Sequence, residues 1–208
     1  MTAPAYRYLA QHALTGQWLH TALPLIDVEF GPDLDGPGEL TATLAPRFIS
    51  SNPDFTDPGT TVLYVERGGH LHWGGLIWRC TPEGARYRIE AASWSSYPER
   101  RYDFDGELGG RGPYVNTDPC TIIRHVWDYL QAVPDGDLGV VVDATASTAT
   151  VGTPAEPWHS YWWEPKSLGS HIDDLISEAD SPEYTCETSW SEDALVPPGL
   201  YALPGAGA

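Results

Sequence analysis

Residues 61–97 read TVLYVERGGHLHWGGLIWRCTPEGARYRIEAASWSSY, and the fold is decided there. Val62, Leu63, Tyr64 and Val65 make a β-branched and aromatic run. Arg67-Gly68-Gly69-His70 breaks it with the glycine pair that a hairpin turn takes for its positive φ. The chain then returns from Leu71 to Cys80. In a strand, Leu71, Trp73, Gly75, Ile77 and Arg79 share one face while His72, Gly74, Leu76 and Trp78 share the other. Pro82-Glu83-Gly84 signals a second turn, after which Tyr87, Ile89, Ala91 and Ser93 alternate with Arg88, Glu90, Ala92 and Trp94 up to Tyr97. Tryptophan on both faces implies a sheet that is sandwiched or closed.

Working toward the N-terminus, Tyr6–His12 and Trp18–Leu23 flank the turn-like Thr15-Gly16 and predict another hairpin. Residues Leu25–Phe30 and Glu39–Leu44 predict a strand pair around the proline- and glycine-bearing segment 31–38. Ala45–Gly59, punctuated by Pro46, Pro53 and Pro58, reads as a long surface loop. Toward the C-terminus, the pattern changes after Tyr102, where residues 103–113 are glycine-rich and have little periodicity. A helix follows, with Thr117 or Asp118 as cap, Pro119 in its first turn and Ile122, Ile123, Val126, Trp127 and Leu130 along one face. Leu138–Val142 reads as a short strand and Glu183–Trp190 as a closing one. Between them, a second helix over about residues 167–179 lines up Leu168, Ile172, Leu175 and Ile176. Strands precede the mixed region and do not alternate with helices. The expected class is therefore α+β, an antiparallel β-barrel-like domain over residues 1–112 followed by a smaller mixed α/β domain with two helices over 113–208.

With 208 residues and 41% hydrophobic content the chain can bury a real core. No stretch approaches the roughly 20 apolar residues of a membrane span, and Met1-Thr2-Ala3-Pro4 has no secretion signal, so a protein made in the cytoplasm and staying soluble is expected. Its formal charge of −18, with Lys166 the single lysine, repels phosphate and argues against nucleic acid or anionic membrane as a bound partner. Cys80, Cys120 and Cys186 are odd in number and widely spaced, which predicts free thiols and neither a disulfide framework nor a zinc site.

The chemical motifs are weak. His70 and His72 have the H-x-H spacing of a metal pair, yet His70 falls in the turn and further ligands are not near. Asp33-Leu34-Asp35-Gly36 and Asp103-Phe104-Asp105-Gly106 resemble fragments of calcium loops but lack the complete ligand set, and acid-glycine clusters are more often turns. Cys120 and His125, five apart on a helix, sit roughly 140° from each other and form no local dyad. No nucleophile elbow, zinc-protease or nucleotide-binding motif is present, so neither an enzymatic activity nor a cofactor or metal is expected. The nine tryptophans and eleven tyrosines point to binding instead. Trp158, His159, Tyr161, Trp162 and Trp163 could stack sugar rings in a receptor-recognising β-module, but Trp and Tyr are also enriched where protein subunits meet, and that reading is preferred. The interface candidates are Trp158, Tyr161, Trp162 and Trp163, with Trp18 and Phe48.

Three blocks carry a resemblance to a family. The first is Leu25-Ile26-Asp27-Val28-Glu29-Phe30-Gly31-Pro32 through Gly36-Pro37-Gly38-Glu39-Leu40-Thr41. The second is Trp73-Gly74-Gly75-Leu76-Ile77-Trp78-Arg79 leading to Ala91-Ala92-Ser93-Trp94-Ser95-Ser96-Tyr97 and Arg100-Arg101. The third is Asp118-Pro119 with residues 122–131. In order and spacing they resemble the N-terminal part of the tail hub or minor tail proteins of siphophages of actinobacteria, related to the baseplate hub. The resemblance implies a virion protein at the tail tip, forming a homotrimeric ring through a β-barrel-like first domain. It also implies the distal tail protein, the tape-measure protein and other tail-tip proteins as neighbours. The family continues into another β-domain where this chain stops at Ala208, which reads as a truncated or divided hub.

Overall fold

The computed structural model describes residues 5–177, 183–190 and 200–202. Seven strands, β1 (Arg7–His12), β2 (Trp18–His20), β3 (Ile26–Phe30), β4 (Glu39–Leu44), β5 (Thr61–Arg67), β6 (His70–Glu83) and β7 (Arg86–Ser93), form one sheet. Their order is β2-β1-β5-β6-β7-β4-β3 and every neighbouring pair is antiparallel. The protein is α+β as expected, but the sheet is open and not barrel-like in the closed sense: β2 and β3 are its edges. Both edges are poor templates for closure. β2 has three residues, and β3 loses register between Ile26 and Glu29, where Asp27 takes a φ of 52°.

The two apolar faces are each covered, so the sheet is sandwiched. On one face Val62, Tyr64, Leu76 and Trp94 pack with Ile122, Val126 and Leu130 of α2 (Pro119–Ala132) and with Leu168 and Ile172 of α3 (Leu168–Ser177). On the other, Leu63, Val65, Ile77 and Ile89 pack with Ile49 of α1 (Pro46–Ser51) and with Phe55. β5 is therefore buried on both sides, which is why its residues run apolar without alternation. The expected surface loop at 45–59 in fact holds α1 and a short 3₁₀ turn, Pro53–Thr56. Pro46 and Pro53 sit at the two helix starts, where a missing N–H costs nothing, and Pro58 falls in the turn that follows.

Alternation in β6 fails at two points. Val65 pairs with Trp73 but Glu66 with Leu71, so His72 is an extra residue and Leu71 joins the helix-side core instead of sharing the face of Trp73. A second slip lies between Ile77 and Arg79. β6 also runs through Pro82, which pairs with Tyr87, so the turn is Gly84-Ala85 and not Pro82-Glu83-Gly84. Beyond Leu76 the strand no longer has β5 beside it, and a residue without an N–H is tolerated there.

Asp118 caps α2, its Oδ1 accepting the Cys120 N–H at 2.9 Å and the Ser147 N–H at 3.1 Å, while Ser167 Oγ accepts the Ser170 N–H at the start of α3. A small sheet of β8 (Val140–Val141), β9 (Cys186–Thr188) and β10 (Leu200–Ala202), in the order β8-β10-β9, adds to this side. β9 crosses β6 at Gly74, where an added Cβ would lie 2.7 Å from the Thr188 side chain. The three cysteines are free thiols, with Cys120 buried.

Two histidines in this half make stability depend on pH. Burial first, then Lys166, holds His171 below its usual value against the opposing pull of Glu164, Asp174 and Asp103; burial does the same to His125, whose Nδ1 lies 2.9 Å from the Tyr114 hydroxyl. Both rings stay neutral in the fold at a pH where the unfolded chain, titrating near 6.5, already takes protons. Their contribution is complete above about pH 6.5 and is lost as the pH falls from there through the folded values. Glu99 and Asp173 act the other way, since burial raises both carboxyls and acid relieves their cost. Thermal melts from pH 7.5 to 5.5 are expected to show a falling midpoint, with a shallower fall in H171N. An equal fall in both proteins would contradict the assignment.

Candidate protein interaction surface

The segment from Arg101 to Tyr114 is laced by backbone hydrogen bonds to the segment from Trp158 to Leu168. The Leu168 N–H donates to the Arg101 carbonyl at 2.8 Å, the Glu107 N–H to Ser160 at 2.7 Å, and Tyr114 and Trp158 exchange bonds of 3.0 and 2.9 Å. Tyr102 and Ser167 form a further antiparallel bridge. A glycine-rich stretch without periodicity thus becomes one half of a fixed double strand.

Inside it, Gly106, Glu107, Leu108, Gly109 and Gly110 take φ values of 79°, 53°, 51°, 69° and 85°, a complete left-handed turn. Glycine adopts such angles freely, whereas Glu107 and Leu108 do so at about 1–2 kcal/mol each. Asp103, only 5% exposed, offsets the strain: its Oδ1 accepts the Gly106 N–H at 2.8 Å and its Oδ2 the Leu108 N–H at 2.7 Å. The Arg111 and Gly112 N–H groups close on the Glu107 carbonyl, and the Leu108 side chain is buried in the helix-side core. Asp105 accepts from the Tyr129 hydroxyl at 3.0 Å; burial first, and then that bond, push the phenol up to about 12. The D-x-D-G fragment at 103–106 therefore spends its carboxylates on the protein itself. Its counterpart does likewise, Asp35 accepting the Tyr184 N–H at 2.7 Å.

The left-handed turn supports an aromatic column. His159 Nδ1 lies 2.7 Å from Glu107 Oε1, and the rings of His159, Tyr161 and Trp163 stack in succession, with centroids 4.8 and 4.6 Å apart and planes within 15° and 24° of parallel. Trp162 stands edge-on to Trp163 at 5.6 Å, and its side chain lies over the Gly106 backbone. Stacked between two neighbours, Tyr161 offers no open ring face. Trp162 and Trp163 do, at 61% and 62% exposure.

No protein-family model matches the chain, and no curated protein matches it. Among solved structures it is similar to the tail protein from Neisseria meningitidis MC58, with 11% identity over 95% of this chain and 51% of that one and a TM-score of 0.46. It is also similar to the 43 kDa tail protein of prophage MuSo2 from Shewanella oneidensis, with 11% identity over 98% of this chain and 56% of that one and a TM-score of 0.43. The chain spans about half the length of these structures. Neither likeness identifies the function.

The six aromatic candidates do not form one surface. Tyr161, Trp162 and Trp163 come together, while Trp158 turns inward, edge-on to Tyr114 at 5.6 Å and His171 at 5.3 Å. Trp18, 41% exposed, lies against Tyr64 and Trp190. Phe48 belongs to the other side of the sheet, where it meets Phe55 and His20 edge-on. Among the described residues no group of three or more His, Cys, Asp or Glu side chains is set to hold a metal ion. His70 is exposed as the first residue of β6, just past the Gly68-Gly69 turn, and His72 meets the Tyr6 ring edge-on.

Sequence reasoning missed Leu14, Tyr102, Phe104 and Val133. All four are exposed and line an open groove of about 610 Å³ that Arg100 and Arg101 border. The one local signal was Phe104 itself, an aromatic between two aspartates in a glycine-rich stretch.

Proposed function

We propose that the chain is a structural component of a phage tail, a hub or minor tail protein at the tail tip that forms a ring with copies of itself and meets the distal tail and tape-measure proteins. The resemblance of residues 25–131 to tail hubs supports this reading. The observation that carries it is physical: Phe104, Trp163 and Trp162 are the most exposed large apolar side chains among the described residues, and they sit on a segment locked from beneath by Asp103 and by backbone bonds. Rigid, exposed aromatics on a fixed scaffold are what a protein interface uses, because their area is buried at small cost in side-chain entropy. The charge of −18 keeps the free chain soluble before that surface is covered. No residue is assigned a catalytic role.

Mass spectrometry of purified particles tests the proposal, with gold-labelled antibody to place the protein on them. The expected result is a stoichiometric component with label at the tail end. Absence from purified particles would overturn it. Glycan binding abolished by W162A and W163A in a protein absent from particles would favour the sugar-binding reading.

A further inference from the structure

The two most prominent apolar features next to the left-handed turn differ in shape. Phe104, 77% exposed, stands with Leu14, Tyr102 and Val133 around the open groove of about 610 Å³. Trp162 and Trp163 stand on a projection, the tight turn in which the Glu164 N–H donates to the Tyr161 carbonyl at 3.1 Å. One is a socket and the other a knob.

The charges at the two features are opposite, and among the described residues neither has an ion-pair partner within 4.0 Å. Arg100 lies over the Trp78 ring at 4.4 Å and Arg101 over the Tyr97 ring at 4.5 Å, both at the groove. Arg7, Arg79, Arg86, Arg88 and Arg124 each have an acid, whereas among the described residues Arg100 and Arg101, like Arg47 and Arg111, form no ion pair. Glu99 acts on Arg100 only through space, and Asp135, the one acid among the groove residues, pairs with neither. In a chain with 29 acids and 11 lysines and arginines, two adjacent guanidinium groups resting on ring faces have their fork of donors left for a carboxylate from outside. Glu164 is the complement. It is exposed at the tip of the knob and likewise has no ion-pair partner among the described residues.

We propose that the groove receives the Tyr161–Glu164 turn of a second copy of this chain, Trp162 and Trp163 filling its apolar part and the Glu164 carboxylate meeting Arg100 and Arg101. The inference deepens the tail-assembly reading and rests on it for the idea that copies meet. Each copy carries both halves, so the contact repeats until the assembly closes, as a ring or as a pair about a two-fold axis.

Light scattering of the full chain over a range of concentrations tests this in four proteins: wild type, R100E/R101E, E164R, and the three substitutions combined. The wild type is expected to self-associate, and either charge reversal alone to weaken association at least tenfold. The triple variant, with the charges exchanged, regains it. Circular dichroism confirms folding, and should R100E/R101E fail to fold, E164R on the exposed turn carries the test. A monomeric wild type, or charge reversals that assemble as well as the wild type, would overturn the proposal. Particles that contain the protein while the reversed variants still assemble would sink the groove and leave the tail reading standing. Groove-dependent assembly of a protein absent from particles would do the opposite.

Discussion

Replacing Asp103 with alanine is expected to destabilise the protein by about 4 kcal/mol, because two backbone donors lose a charged acceptor at once and each such bond contributes roughly 1.5–3 kcal/mol. The carboxyl is buried and bonds to Gly106 and Leu108 within five consecutive residues of positive φ. Without it, only the backbone bonds at Glu107 remain against the strain at Glu107 and Leu108, and the Leu108 N–H loses its acceptor. The turn would relax toward negative φ, pulling the Leu108 side chain out of the core and breaking the bond from Glu107 to Ser160 that supports the aromatic column. D103N keeps one acceptor oxygen and is expected to lie between D103A and the wild type. Urea denaturation followed by tryptophan fluorescence measures the loss, and hydrogen exchange at the Gly106 and Leu108 amides reports it locally. A D103A midpoint equal to that of the wild type would show that the turn holds itself.

G75A is the second large effect. Gly75 pairs with Leu63 on one side and Ser93 on the other, and a Cβ built there would lie 2.2 Å from the Ala92 carbonyl oxygen and 2.8 Å from the Ser93 Cα. Those atoms are backbone in the middle of the sheet, just where β7 ends and the chain turns toward Trp94 beneath the helices. They cannot yield without parting β6 from β7. The expected loss is about 3 kcal/mol, at the upper end of overpacking costs. G31A serves as the control, since an added Cβ at Gly31 meets nothing within 4 Å, and it is expected to stay within about 0.5 kcal/mol of the wild type. Similar urea midpoints for G75A and G31A would contradict the close approach.

The sheet was legible because its strands announce themselves by alternation or, in β5, by an unbroken β-branched and aromatic run, and its turns by glycine. The order of the central hairpins, both long helices and the cap at Asp118 all follow from local pattern. Other features depend on distant partners. The extra residue at His72 is invisible in a run apolar on both faces, so strict alternation puts Leu71 on the face of Trp73 while the fold puts it on the other. Closure was expected from aromatics on both faces, yet covering layers satisfy those faces equally well, and short, irregular edges keep the sheet open. The left-handed turn could not be read at all, for neither Glu107 nor Leu108 favours positive φ and the bonds that impose it come from Asp103 and Ser160. At the surface, the exposed pair Trp162 and Trp163 stood out by composition. The groove gathers Leu14, then Arg100, Arg101, Tyr102 and Phe104, and Val133 from three separate regions, and only the fold brings them to one place.

The role proposed for the outward aromatic surface is to make this chain an assembly unit of a phage tail. It is tested most directly by disrupting the gene in the phage and supplying the protein in trans. Loss of the gene is expected to leave particles without functional tails and the wild-type protein to restore them, whereas a folded W162A/W163A variant with an unchanged melting temperature restores at most a few per cent of the infectious titre. Infectious tailed particles in the absence of the gene, or full rescue by W162A/W163A, would contradict the account.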